Sequence, residues 1–169
     1  MHVIRLRGPW EYEPLARVGI DAGGARRESR ESLPAAGRAH LPADWGLTLG
    51  PDFRGRVRYT RPFGLPTNLE PHEEVWLVVE GVDYFGSLAM NDTPLGELTG
   101  YLGPPAEFNV TPLLAPRNVL ILEVELPNFE AGTVQPNRPG REHLPGGPIG
   151  EVRLEIRSCR PAQSGRGDF

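Results

Sequence analysis

The stretch Asn118-Val-Leu-Ile-Leu-Glu-Val-Glu-Leu126 decides the fold class. Drawn out as a strand, it places Leu120, Leu122, Val124 and Leu126 on one face and Val119, Ile121 and Glu123 on the other, because successive side chains of an extended chain point to opposite sides. Ile149-Gly-Glu-Val-Arg-Leu-Glu-Ile-Arg157 repeats the pattern more strictly, with Val152, Leu154 and Ile156 alternating against Glu151, Arg153, Glu155 and Arg157. In Glu74-Val-Trp-Leu-Val-Val-Glu80 both faces are apolar and β-branched residues disfavour helix, which predicts a centrally placed strand.

Working outward, Gly81 to Met90 is expected to extend beside Glu74–Glu80 as its partner, followed by a hairpin turn at Asn91-Asp-Thr-Pro94 and a short return over Leu95 to Leu98. A turn at Tyr101 to Pro105, a strand from Ala106 to Val110 and a turn at Thr111-Pro112 come next. Upstream, Arg54 to Phe63 alternates arginines with Val57 and Tyr59, and Pro62 predicts an edge position or a bulge because it cannot donate to a ladder. Val3 to Val18 reads as one strand region bent at Pro9 and Pro14, with Trp10 plugging one end of the core. Residues 19–52 are the least regular, and so long a bare loop is unusual in a compact domain, so a short helix or hairpin is expected there, anchored by Trp45. Residues 127–148 form a Pro-, Gly- and Asn-rich loop. Eight or so strands with no helix of ten or more residues between them argue for an all-β sandwich of two covering sheets over residues 1–158. Residues 159–169 read as a disordered tail.

With 21 glycines and 19 prolines in 169 residues, short elements joined by turns are what the composition permits. The formal charge of −4 is interspersed and gathers neither nucleic acid nor an anionic membrane. The basic cluster Arg26, Arg27, Arg30 and Arg38 is interrupted by Glu28 and Glu31 and reads as a solvated loop. A single cysteine, Cys159, excludes an internal disulfide, and the histidines at 2, 40, 72 and 143 lack zinc-ligand spacing. The N-terminus offers no signal-peptide core, so a cytoplasmic protein is expected. No serine sits in a Gly-x-Ser-x-Gly elbow, and Gly146 to Gly150 lack the lysine of a phosphate loop. The acids mostly alternate outward along strands. A distant pair such as Asp44 with Glu107 is not the arrangement retaining glycoside hydrolysis needs unless the fold brings the two together. Asn91-Asp-Thr93 and Asn109-Val-Thr111 fit the glycosylation tripeptide, but Asn109 and Thr111 suit the satisfaction of turn amides better.

Taken in order, these motifs resemble the N-terminal sugar-binding domain of glycoside hydrolase family 2 enzymes. The matching stretches are Gly8-Pro-Trp10, Leu41-Pro-Ala-Asp-Trp45, Phe53 to Phe63, Glu74 to Val82, Leu88-Ala-Met-Asn91 with Leu95-Gly96, Phe108-Asn-Val-Thr111 leading to Asn118-Val-Leu120, and Gly146-Gly-Pro-Ile-Gly-Glu-Val-Arg-Leu154. The series spans about residues 8–156. It implies a jelly-roll sandwich of the galactose-binding-like class. Two departures stand out: Asn91-Asp92 replaces the usual Asn-Gly of the hairpin, and Gly150-Glu151 follows Ile149. The family's catalytic glutamates belong to a separate barrel domain, so no residue here inherits them. Domains of this class often hold a calcium ion, for which Asp21 and Asp52 could supply oxygens, although no EF-hand-like loop is present and no cofactor is expected.

A sugar's apolar face stacks on an aromatic ring while its hydroxyls seek amide, carboxylate or guanidinium partners. The candidate ligand residues are therefore Trp45, Tyr84, Tyr101 and Phe129 with Asn91, Asp92, Asn128, Gln135, Asn137 and Arg138; packing is the competing role for Trp45 and Tyr84. Two functions follow as expectations. One is a non-catalytic carbohydrate-recognition module with a saccharide ligand. The other is a structural or protein-interaction domain without sugar binding, whose partner or second copy would cover an apolar patch near Trp76 or the Arg54–Phe63 strand. An independent small enzyme, needing a concave site with converging acids, ranks last.

Overall fold

A computed structural model describes residues 1–159 of the chain. The elements in order are β1 (His2–Arg5), β2 (Trp10–Ile20), β3 (Arg26–Ser29), β4 (Gly37–Ala39), α1 (Gly46–Leu49), β5 (Gly55–Gly64), β6 (Glu73–Val79), β7 (Phe85–Met90), β8 (Thr93–Thr99), β9 (Ala106–Asn109), β10 (Arg117–Leu126), β11 (Asn128–Phe129) and β12 (Val152–Ser158). They form two sheets. The smaller runs β1-β12-β6-β9, and the larger runs β11-β2-β5-β10-β7-β8 with β3 and β4 added along β2. The result is an all-β jelly-roll sandwich. Its core joins Val57 and Tyr59 of β5, Leu120 to Leu126 of β10, Val75, Leu77 and Val79 of β6, and Val152, Leu154 and Ile156 of β12. The alternation read from β5, β10 and β12 is realised at Val57, Tyr59, Leu120, Leu122, Val124, Leu126, Val152, Leu154 and Ile156, and in β6, apolar on both faces, it is Val75, Leu77 and Val79 that join this core.

Three expectations change. The stretch Val3 to Val18 is two strands in different sheets, because the chain crosses the sandwich between Leu6 and Trp10; at Gly8, with φ at +128°, a Cβ would stand 3.0 Å from the Trp10 nitrogen and 3.1 Å from the Ala39 carbonyl. Trp10 is fully buried and its indole N–H donates to the Leu6 carbonyl at 2.7 Å. β5 is not an edge strand but lies between β2 and β10. Its Pro62 is tolerated because it opposes Val119, whose N–H turns away to the Asn91 side chain, and because β2 has already ended, its last partner of β5 in that direction being Glu11 opposite Thr60. β7 does not pair with β6. The corner Gly81 to Tyr84 carries the chain to the other sheet, where β7 pairs with β10 and β8. Residues 19–52 hold short elements as expected: two strands, β3 and β4, against the edge of β2, and the single turn of helix α1.

The outer face of the smaller sheet is an ion-pair lattice. Arg153 binds Glu80 and Glu155, Arg157 binds Glu155 and Glu107, and the Arg157 guanidinium lies 4.7 Å from the centre of the Trp76 ring. Glu155 is buried, and the hydrogen bonds from Arg153 and then Arg157 hold its carboxyl below the usual glutamate range. The tail expected from residue 159 onward falls, from residue 160, outside the described residues; Cys159 itself still donates its amide to the His72 carbonyl at 2.7 Å. Among the described residues no helix is long and apolar enough to cross a membrane.

Candidate functional site

Residues 127–148 cover one end of the sandwich, and a carboxylate beneath them fixes their path. Asp83 is fully buried at the corner between the sheets. It receives the Arg138 Nε and Nη2 at 2.7 Å each, a two-pronged pairing, and the Arg141 Nε at 2.7 Å. Arg141 reaches on to Asp44 at 3.2 Å and to the Pro145 carbonyl at 2.7 Å, while Arg138 also donates to the Leu144 carbonyl at 2.7 Å. Backbone bonds between Asp83 and Gly147 run in both directions, at 2.9 and 2.8 Å. Gly146 is required at this junction, since a Cβ there would lie 2.5 Å from the Asp83 carbonyl oxygen and 3.0 Å from the Trp45 ring.

Beside this clamp, β2, β3 and the segment leading into β5 border a shallow groove of about 590 Å³, with Arg17, Arg27, Glu28, Asp52, Arg54 and Asn128 on its walls. A second hollow of about 310 Å³, lined by Asp21 and Glu130, shares Gly19, Arg27 and Asn128 with it. The carboxylates of the second hollow serve the backbone. Asp21 accepts the amides of Gly23 and Ala25, and Glu130 accepts that of Ala22. Arg17 donates to the Ser32 carbonyl and lies 5.5 Å from the centre of the Phe53 ring. Arg54 donates to the carbonyls of Pro51, Phe53 and, at 3.5 Å, Leu144. Burial, followed by the neighbouring Arg138 charge, pushes the Arg54 guanidinium below its ordinary range. The groove thus presents guanidinium donors, two carboxylates and an amide in one concave surface.

The sequence candidates separate in space. Trp45 is fully buried, edge-on to Phe53 at 5.6 Å, with its indole N–H on the Phe53 carbonyl at 3.1 Å, so its ring offers no face to a ligand. Tyr84 and Phe129 pack against each other at 6.4 Å. Tyr101 anchors the loop by donating its hydroxyl to the Pro139 carbonyl at 2.8 Å. Asn91 braces the far hairpin, donating to Leu113 and Asn118 and accepting from Val119, with exposed Asp92 beside it. Arg138 is the clamp, Gln135 and Asn137 are exposed on the loop, and Asn128 alone of the set lines the groove. Asp44 is bound to Arg141 and Glu107 to Arg157 on the smaller sheet's outer face. Asn109 caps the Thr111 amide at 3.1 Å. The sequence reading missed Arg17, Arg27 and Arg54 as a group. Their common signal, arginines around a turn, is shared by every solvated basic loop. Asp83 was equally invisible, because nothing in a sequence marks a carboxylate as buried. Among the described residues no group of three or more metal-binding side chains gathers.

No protein-family model matches the chain. No curated protein matches it either. Solved structures do share its fold. The β-glucuronidase of Bifidobacterium dentium, complexed with coumarin-3-O-glucuronide, superposes with a TM-score of 0.62 at 22% identity, over 93% of this chain and 30% of that one. A calcium-binding mutant of Bacteroides uniformis β-glucuronidase 2 gives 0.64 at 20% identity, covering 92% and 18% of the two chains. A β-glucuronidase from an uncultured Clostridium gives 0.64 at 16%, covering 94% and 29%. The fold is therefore that of one domain of glycoside hydrolase family 2 β-glucuronidases, as the motif series implied, and the chain spans less than a third of each of these proteins.

Proposed function

We propose that the chain is a non-catalytic carbohydrate-recognition module whose ligand lies in the groove between β2, β3 and the segment leading into β5. The observation that carries the reading is the set of polar side chains on that groove, Arg17, Arg27, Arg54, Asp52 and Asn128, on a sandwich shared with enzymes that act on glycosides. Guanidinium, carboxylate and amide groups are the partners that sugar hydroxyls require, and loops at the end of a sandwich are where such folds carry sites. None of the aromatic side chains among the described residues is exposed, so recognition rests on hydrogen bonds rather than on stacking against an open ring. That favours a modest affinity. Titration of the full chain against an oligosaccharide panel tests the proposal: saturable binding with micromolar to millimolar Kd that weakens at least fivefold in Asn128→Ala supports it, and flat titrations to millimolar sugar with every member overturn it.

A second reading, a structural or protein-interaction domain, draws on the outer face of the larger sheet. There Val119, 41% exposed, neighbours Pro62, and Ile121 lies beside Ala89 in an apolar row. Of the two positions first favoured for a patch, Trp76 lies under Arg157, while Pro62 of the Arg54–Phe63 strand borders Val119 on this face. Concentration-dependent association in sedimentation runs, abolished by Val119→Glu, would favour this reading over the first.

A further inference from the structure

Resting on the groove reading above, we infer that the preferred ligand is an acidic saccharide, its carboxylate held by Arg54 with Arg17 and Arg27 alongside. The positive character is local and built in. Among the described residues, neither Arg17 nor Arg54 has a carboxylate at salt-bridge distance; each meets only backbone carbonyls, together with the Phe53 ring in the case of Arg17. Arg27 approaches one acid, Asp21, at 3.6 Å and is otherwise largely exposed.

The acids nearby do not cancel this charge. Glu28, on the groove wall, is already held by Arg26 and Arg56. Asp52 offsets part of the Arg54 charge through space without pairing with it, which leaves three groove guanidiniums against this one acid that no arginine holds among the described residues. Behind Arg54 the buried Asp83 is taken by two further guanidiniums, those of Arg138 and Arg141. Arg54 is also the least hydrated of the three groove arginines, and its desolvation together with the adjacent Arg138 charge makes an incoming anion favourable there. A planar carboxylate can take two parallel N–H bonds from one guanidinium, which a hydroxyl cannot, so a sugar acid gains both charge and geometry over its neutral counterpart.

The test uses the full chain and three probes: an oligogalacturonate, the same oligosaccharide as its neutral methyl ester, and a sulfated oligosaccharide of similar length. Calorimetric titration at low salt is expected to show the oligogalacturonate binding at least tenfold more tightly than its ester. Arg54→Gln should remove that preference, and the preference should shrink several-fold between 50 and 300 mM salt, roughly as screening requires. Arg27→Gln, at an exposed side chain with no packing role, repeats the measurement without risk to folding and should weaken acid binding about threefold. Equal binding of acid and ester overturns the charge inference but leaves sugar recognition standing. Binding to none of the saccharides overturns both. Tighter binding of the sulfated probe, if lost in Arg54→Gln, supports the anion site with sulfate as the better fit; if unchanged in that variant, it overturns the assignment to Arg54.

Discussion

Asp83 shows how much one residue can organise. A carboxylate out of water is costly unless every lone pair is met, and here two arginines from a long loop meet them. The loop's course is therefore set by a buried charge as well as by the packing of Phe129. Replacing Asp83 with alanine strands Arg138, itself only 7% exposed, without a counter-charge. The expected loss is about 3–5 kcal/mol in urea unfolding, with residues 127–148 becoming the first site of limited proteolysis. Gly146→Ala should be nearly as damaging for a different reason: its methyl would meet the Asp83 backbone, which cannot give way. An unfolding midpoint within error of the parent for either variant would contradict the clamp.

Among the elements, the β7–β8 hairpin carries the clearest local chemistry. Asn91 and Asp92 have φ of +49° and +65°, the left-handed pair of a two-residue turn that matches strand twist. The two residues contribute differently. Asp92 is exposed and supplies only conformation, so Asp92→Gly should raise stability by on the order of 0.5 kcal/mol. Asn91 ties the hairpin to β10 with two side-chain hydrogen bonds and to the Leu113 carbonyl with a third, so Asn91→Gly should lower it by about 2–3 kcal/mol despite the same gain in backbone freedom. Thermal melts of the two variants, opposite in sign, check both statements. The hairpin was legible from Asn-Asp and flanking alternation; the brace was not, because Leu113 and Asn118 lie more than twenty residues away.

For the molecule as a whole, surface ion pairs link strands that burial alone already holds, and their effect shows in acid. Glu28 is bound by Arg56 and Arg26, which hold its carboxyl near 2, against an ordinary value of 4.5. Glu155 is shifted in the same direction by Arg153 and Arg157. A carboxyl lowered in the folded state stabilises fully above its unfolded value and loses that contribution as pH falls through the folded one. Melting temperature should therefore decline as pH drops from about 4.5 toward 2. Because Glu28 is well hydrated, its share is small, about 0.2–1 kcal/mol, and is screened by salt. The difference in melting temperature between the parent and Glu28→Gln should be measurable at pH 6 and vanish near pH 2; a constant difference across that range would disprove the linkage.

Read along the chain alone, the residues already required two sheets covering each other and marked most of the inward-facing side chains and turns. Those properties are set by period-two alternation, β-branching and turn residues, all of which act between neighbours along the chain. It also carried the family resemblance, since ordered motifs survive where their individual residues are weak. Contacts across the fold settle that β5 is an inner strand, that β1 and β2 belong to different sheets, and that Asp83, Arg138 and Arg141 meet while Arg17 and Arg54, among the described residues, have no carboxylate at salt-bridge distance. Sheet order, burial of a charge and convergence on a groove depend on contacts between residues dozens of positions apart, whose energies leave no periodic trace in the chain.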